Sequence, residues 1–357
     1  MATILGLEST CDETAAAVVV DGRRVLSNAI ATQFELHAKY RGVVPEIASR
    51  AHIENLLPVI TEAMTSAGLA ANDFSKIDAI SVAHRPGLIG SLLIGVTAAK
   101  TLAWTTGKPL IGVDHVHAHL YSVLLDHDCQ PELPAVGLVC SGGHTALYHV
   151  RDWLDVRMIG STIDDAVGEA YDKVSAILDL GYPGGPAIDR LAQYGDAKAI
   201  AFPRTLLGRS SLDFSFSGLK TSVLYHVRGV PKKGQSAKAM MDEDWDEEEL
   251  HNVCASFQAA CVDVVVEKIK RALRLTEAKS VLIGGGVSAS RGLRAALADF
   301  QVPTFFPEQV PTFFPELRYC TDNAAMSAGL AEIYLQSGRI SDLSLDAITS
   351  SQFSEQS

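Results

Sequence analysis

Two stretches, GLESTCDETA at 6–15 and GLVCSGGHTA at 137–146, share Gly-Leu, six intervening residues and Thr-Ala. A chain that sets the same small-residue turn twice between apolar flanks is assembled from two copies of one unit, which narrows its folds more than any other feature. Around the first copy, TILGLE alternates into AAAVVV, Asp21-Gly22 fits a type I′ hairpin turn, and RRVLSNA returns. Around the second, AVGLVC, TALYHV and LDVRMIG again read as three short strands. Helical patterns follow in both halves, from Pro45 to Ala67 and from Asp164 to Leu178. The first half continues with a strand (IDAISVA), an apolar helix (GSLLIGVTAAKTLAWTTG), a strand (PLIGVDH) and a helix from about Val116. The second continues with an amphipathic helix from Glu247 to Arg274, a strand (SVLIGGG) and a helix (SASRGLRAAL). The expectation is a duplicated β-β-β-α unit in two mixed α/β lobes, which suits 357 residues, near the size at which single cores stop growing.

Between these elements, 201–241 reads as irregular and 341–357 as a poorly ordered tail. VPTFFPEQ and VPTFFPEL stand in tandem over 302–317, and one copy reads as expendable because a lengthened loop costs little. With 47% hydrophobic and 20% charged residues the chain is a folded protein rather than a disordered binder. Its six cysteines form no CxxC pair and are read as mostly inert thiols of a reducing compartment. TILGLE follows the first Met without a leader pattern, and no apolar run reaches the ~18 residues of a membrane span, so a cytoplasmic location off the membrane is expected. The net charge of −12 excludes a surface that binds nucleic acid all over. Arg204, Arg209, Lys220, Arg228, Lys232, Lys233 and Lys238 nevertheless cluster ahead of the acidic DEDWDEEE, as either a solvated basic loop or a local patch.

DHVHAHLYSVLL carries the first candidate chemistry. On a helix, His115 and His119 share a face and can grip one metal ion, while His117 points away. The same residues also fit helix-surface histidines without a metal. The HExxH glutamate is missing, so a zincin-type peptidase lacks its general base. The turns ESTCDET and CSGGHT are made of small residues whose N–H groups can approach an anion, and two of them across a cleft would bracket a phosphate. SVLIGGGVSAS adds a strand, a glycine turn and a helix start suited to a nucleotide. SGLKT lacks the upstream glycine of a Walker A loop, and no GxSxG elbow supports a hydrolase triad at Ser141 and His144.

Taken together, GLESTCDETA, GVVPEIASRAH, DHVHAH, SGGHT, IDDAVGEAYDKV, YPGGP, DFSFSGLKT, GGGVSASRGLR and CTDNAAM make the chain resemble the bacterial TsaD family of tRNA threonylcarbamoyladenosine synthases from about Thr3 to Gly338. The resemblance implies an α/β fold of two duplicated lobes of the actin, sugar kinase and Hsp70 ATPase type. It divides the chain into a lobe with the histidines (1–130), a lobe with nucleotide motifs (131–318), a segment returning to the cleft and first lobe (319–340) and the tail. By matching positions, it implies His115, His119 and Asp322 as ligands of a divalent ion, Fe2+ or Zn2+. Val139, Cys140, Ser141, Gly142, Gly143, His144, Asp172, Gly185, Asp189 and Ser290 become substrate-binding residues. At Ser290 the family usually carries Asn, and the shorter hydroxyl loses the bidentate amide. The reaction implied is transfer of threonylcarbamoyl from threonylcarbamoyl-AMP to N6 of the adenosine beside the anticodon in tRNAs reading ANN codons. Asp12 and Glu13 are candidates for proton handling, or an electrostatic brace for their turn. A TsaB-like paralogue and a TsaE-like ATPase are the implied protein partners. The rival readings are a small-molecule kinase, a metal-dependent peptidase and a nucleotide-binding scaffold without transfer activity.

Overall fold

A computed structural model describes residues 2–40, 42–229, 246–298 and 310–350. The chain groups into two compact units, one of 1–131, 150–157 and 315–357, the other of 132–149 and 158–314. In chain order the elements are β1 (Thr3–Glu8), β2 (Glu13–Val20), β3 (Arg24–Thr32), α1 (Phe34–Ala38), α2 (Pro45–Ser66), β4 (Ala79–Arg85), α3 (Ile89–Thr106), β5 (Leu110–Asp114) and α4 (His115–Tyr121). Then come β6 (Ala135–Cys140), β7 (Thr145–Asp152), β8 (Asp155–Ser161), α5 (Val167–Ile177), α6 (Gly184–Leu191), α7 (Ser217–Arg228), α8 (Glu247–Thr276), β9 (Ser280–Gly284), α9 (Arg291–Ala298), β10 (Thr312–Phe313) and α10 (Ala324–Gln336).

The first sheet runs β3-β2-β1-β4-β5 and the second β10-β9-β6-β7-β8. Counted within its own set of five and read from the β3 and β8 edges, each sheet runs third, second, first, fourth, fifth, so the duplicated turn belongs to a duplicated sheet. In the first, β1 is antiparallel to β2 and parallel to β4, and β4 is parallel to β5. In the second, β6 and β10 both run parallel to β9. Both repeated turns therefore leave the carboxyl end of a strand that has a parallel neighbour, the usual ligand-binding end of an open α/β sheet.

The period of two along β1 decides what each face meets. Leu5 and Leu7 enter a core with Leu56, Val59 and Ile60 of α2 and Leu92, Val96 and Ala99 of α3. Gly6 turns to the other face, where a Cβ would lie 2.5 Å from the Ala324 carbonyl oxygen, so α10 rests almost directly on the strand. Glu8 shares that face. The second unit has its own core, with Val136 and Leu138 of β6, Val281 and Ile283 of β9, and Phe257, Val264 and Ile269 of α8. Asp21 and Gly22 have φ of 56° and 67°, as a type I′ turn requires.

Three expectations need correction. The stretch 201–241 is not irregular throughout, because Ser217–Arg228 forms α7. Asp164 is the reason: it does not open α5 but accepts from the N–H groups of Phe216 and Ser217 and the hydroxyls of Ser215 and Ser217, fixing the start of α7 from a distance in sequence. Nor is 341–350 a loose tail. The Ser341 N–H donates to the Leu110 carbonyl, the Ile348 N–H to that of His84, and Ala347 is buried. The remainder of the expected tail, 351–357, lies outside the described residues, as does the first VPTFFPE copy, while the second supplies β10 and the buried Val310. In the basic stretch, Arg204 pairs with Asp263 and Lys220 with Asp165, and Lys232, Lys233 and Lys238 lie outside the described residues. Among the described residues no helix is long and apolar enough to cross a membrane.

Candidate functional site

In the first unit the chemistry gathers where β1, β4 and β5 end. Asp114 closes β5 and caps α4, its Oδ1 accepting from the N–H groups of Val116 and His117. Its Oδ2 stands 3.2 Å from Arg85 Nε. This cap starts the helix at His115, so His115 and His119 fall one turn apart on the buried side. Asn323 caps α10 in the same way, accepting from the Met326 N–H, and presents the preceding Asp322 beside the histidines. His119 Nε2 lies 3.0 Å from Asp322 Oδ1 and His115 Nε2 lies 3.6 Å from it.

One candidate donor atom from each of these three residues falls within 4.8 Å of the others. Lone pairs converging this closely need a cation between them, either protons or a metal ion. Two imidazoles and one carboxylate form the donor set of an open, borderline-soft divalent site, so the residues present fit Zn2+ or Fe2+. Burial pulls the His115 imidazole down, but Asp322 and Glu8 outweigh it and lift its pKa to about 9. Without a metal, His115 therefore carries a proton at neutral pH.

The turn after β1 forms the wall of this site. Ser9 donates to the Ser91 carbonyl, and the Leu88 N–H donates to the Thr10 carbonyl. Gly87 lets the two loops meet, since a Cβ there would stand 2.6 Å from Thr10 O. On α2, His52 donates from Nε2 to the Cys11 carbonyl and accepts at Nδ1 from the Thr14 hydroxyl, which makes it a neutral brace under the turn. Asp12 and Glu13 are both buried. Burial, then the charges of Asp322 and Asp12, raises the Glu13 pKa well above its ordinary value. Burial and the same two aspartates also push up the Cys11 thiol, leaving it a poor nucleophile.

In the second unit the repeated turn follows β6. The Ser141 N–H donates to the His144 carbonyl, and the His144 N–H donates to Ser141 Oγ. Gly142 and Gly143 between them are exposed, and a Cβ at either would meet nothing within 4 Å. The start of α5 abuts this turn, because the Gly168 N–H donates to the Ser141 carbonyl. Val139 and Cys140 lie inside β6, and Gly285, with φ of 87°, crosses so close that a Cβ would stand 2.4 Å from Cys140 O. Asp172 accepts from the Gly184 N–H at the start of α6, leaving Gly185 open. Asp189 is held by the Arg291 N–H and guanidinium, Gln258 and Ser290. Ser290 donates to Asp189 while its oxygen lies 3.4 Å from the Leu293 N–H, in the manner of a cap for α9.

The expected residues thus fall into two sets, His115, His119, Asp322, Asp12 and Glu13 in the first unit and the rest in the second. Sequence reasoning missed Glu8, Thr10, His52, Gln258 and Arg291 as supports. The one available signal was a glutamate ending an otherwise apolar strand, TILGLE.

The family model described as TsaD: tRNA N6-adenosine threonylcarbamoyltransferase matches residues 24–329. A protein of that name from Moorella thermoacetica is 49% identical over 350 residues, covering 97% of this chain and 95% of its own. Another, from Trichlorobacter lovleyi, is 47% identical over 345 residues, covering 96% and 95%. Among solved structures, HypF of T. kodakarensis shares the fold with a TM-score of 0.57 at 13% identity, covering 94% of this chain and 48% of that one.

Proposed function

The chain belongs to the tRNA N6-adenosine threonylcarbamoyltransferase family and is an acyltransferase that modifies tRNA; from this we propose that it moves the threonylcarbamoyl group of threonylcarbamoyl-AMP to N6 of the adenosine beside the anticodon in tRNAs reading ANN codons. The fold, two five-stranded sheets of one strand order, is shared with HypF of T. kodakarensis. The observation that carries the proposal is the convergence of His115, His119 and Asp322 beside the Asp12 and Glu13 turn.

In this reading His115, His119 and Asp322 hold one divalent ion, Fe2+ before Zn2+, which when bound polarises the carbamoyl carbonyl. The exposed backbone of Gly142 and Gly143 and the start of α5 hold the phosphate, and Asp172, Gly185, Asp189 and Ser290 surround the adenosine. N6 attacks the carbamoyl carbon, the carbon–oxygen bond to phosphate breaks, the N6 proton passes to the Asp12 carboxylate, and AMP leaves. Glu13, whose carboxyl holds its proton more tightly than an ordinary glutamate, serves as a hydrogen-bond donor rather than as the proton acceptor. A kinase would use carboxylate-held Mg2+ and has no role for the histidine pair.

The partners we propose are tRNA, a TsaB-like paralogue and a TsaE-like ATPase, acting in the cytoplasm. Ile53 and Leu57, one turn apart and exposed on α2, form the apolar strip suited to the paralogue. The test is single-turnover transfer. Asp12→Ala should slow it about 10²- to 10⁴-fold, and Glu13→Gln should lose less, since an amide keeps the donor. Full activity in a folded Asp12→Ala would remove the proton-acceptor role.

A further inference from the structure

We propose that Glu8 is a positioning residue for the metal centre, fixing which nitrogen of His115 faces Asp322 and His119. This rests on the metal-centre reading given above. Glu8 ends β1 on the face covered by α10 and is fully buried. Its two oxygens are divided between tasks: Oε1 accepts from the Thr10 N–H at 2.8 Å, and Oε2 lies 3.1 Å from His115 Nδ1 and 3.5 Å from Ser327 Oγ. Thr10 Oγ1 stands 3.2 Å from the same Nδ1. An imidazole whose Nδ1–H is engaged by a carboxylate presents its lone pair at Nε2, the atom that lies 3.6 Å from Asp322 Oδ1.

The residue type follows from this division. A neutral side chain could accept from the Thr10 N–H alone, but a carboxylate serves that donor and the imidazole together and raises the basicity of the ligand nitrogen. In glutamine one of these two oxygens becomes an NH2 group that faces a donor, so with the geometry held the side chain can accept from the turn or from the ring but not from both.

The experiment uses the full chain with zinc alone as probe. Dissociation constants are measured against a competing chelator for the wild type, Glu8→Gln, Glu8→Ala and His115→Ala, and the ring nitrogens of His115 in the zinc-loaded protein are assigned by 15N NMR. The expected result is a wild type with its proton on Nδ1, and folded Glu8 variants that bind zinc about 10- to 100-fold more weakly and lose the slowly exchanging Nδ1–H signal. A folded Glu8→Ala with wild-type affinity and an unchanged ring signal would overturn the proposal. If neither Glu8 variant folds, the wild-type spectrum decides alone, because zinc on Nδ1 with the proton on Nε2 is incompatible with it. Zinc bound equally by His115→Ala and the wild type would instead overturn the metal-centre reading, and this proposal with it.

Discussion

The chemistry of individual residues here is set by crowding among carboxylates. Glu8, Glu13 and Asp322 all influence His115 or one another, so a proton or an ion must offset their charge. Because the metal-free His115 has a pKa of about 9, a metal entering at neutral pH has to displace its proton. Apparent zinc affinity should therefore rise roughly tenfold per pH unit from neutrality and level off near pH 9, with about one proton released per ion at pH 7. Calorimetry in buffers of different ionisation enthalpy measures that proton, and a pH-independent affinity between 6.5 and 9 would contradict it. For the metal-free fold the dependence runs the other way. A raised histidine pKa stabilises fully below 6.5, and the contribution fades as pH climbs through 9.

Among the elements, α4 and β10 show how local geometry is made. The α4 start depends on Asp114, whose carboxylate caps two N–H groups and meets Arg85. Asp114→Ala should cost about 0.5–2 kcal/mol through the cap alone, and it should weaken metal binding by loosening His115; thermal melts with and without zinc would show both effects. The tandem repeat carries a second prediction. Since the copy at 310–317 forms β10 and buries Val310, deleting 302–309 should leave melting temperature and transfer rate close to wild type. Loss of either would give the first copy a role of its own. Both elements also mark the limits of reading the sequence. The HVHAH helix could be read because i and i+4 share a face, whereas α7 was hidden because its anchoring Asp164 lies some fifty residues upstream. Glu8 was hidden for a related reason: strand alternation says which face it takes, but only the packing of α10 and α4 shows what waits there.

At the scale of the whole molecule, duplication is the organising fact. Both sheets have one order, and both place a small-residue turn after the first strand, yet the copies have taken up different chemistry. The first turn carries Asp12 and Glu13 near the histidines, and the second carries Gly142 and Gly143 as exposed backbone. The turn pattern made this duplication legible, while the packing of 341–350 was not, because it depends on backbone bonds to Leu110 and His84 that no side-chain pattern announces. In the proposed reaction the acyl group and the phosphate arrive on one molecule, threonylcarbamoyl-AMP. The most direct test is therefore a single-turnover reaction of the purified chain with its partner proteins, unmodified tRNA and threonylcarbamoyl-AMP, reading the modified nucleoside by mass spectrometry beside His115→Ala. Product is expected from the wild type and none from the variant. A folded, metal-loaded, nucleotide-binding wild type that forms no product, or a His115→Ala that forms as much, would contradict it.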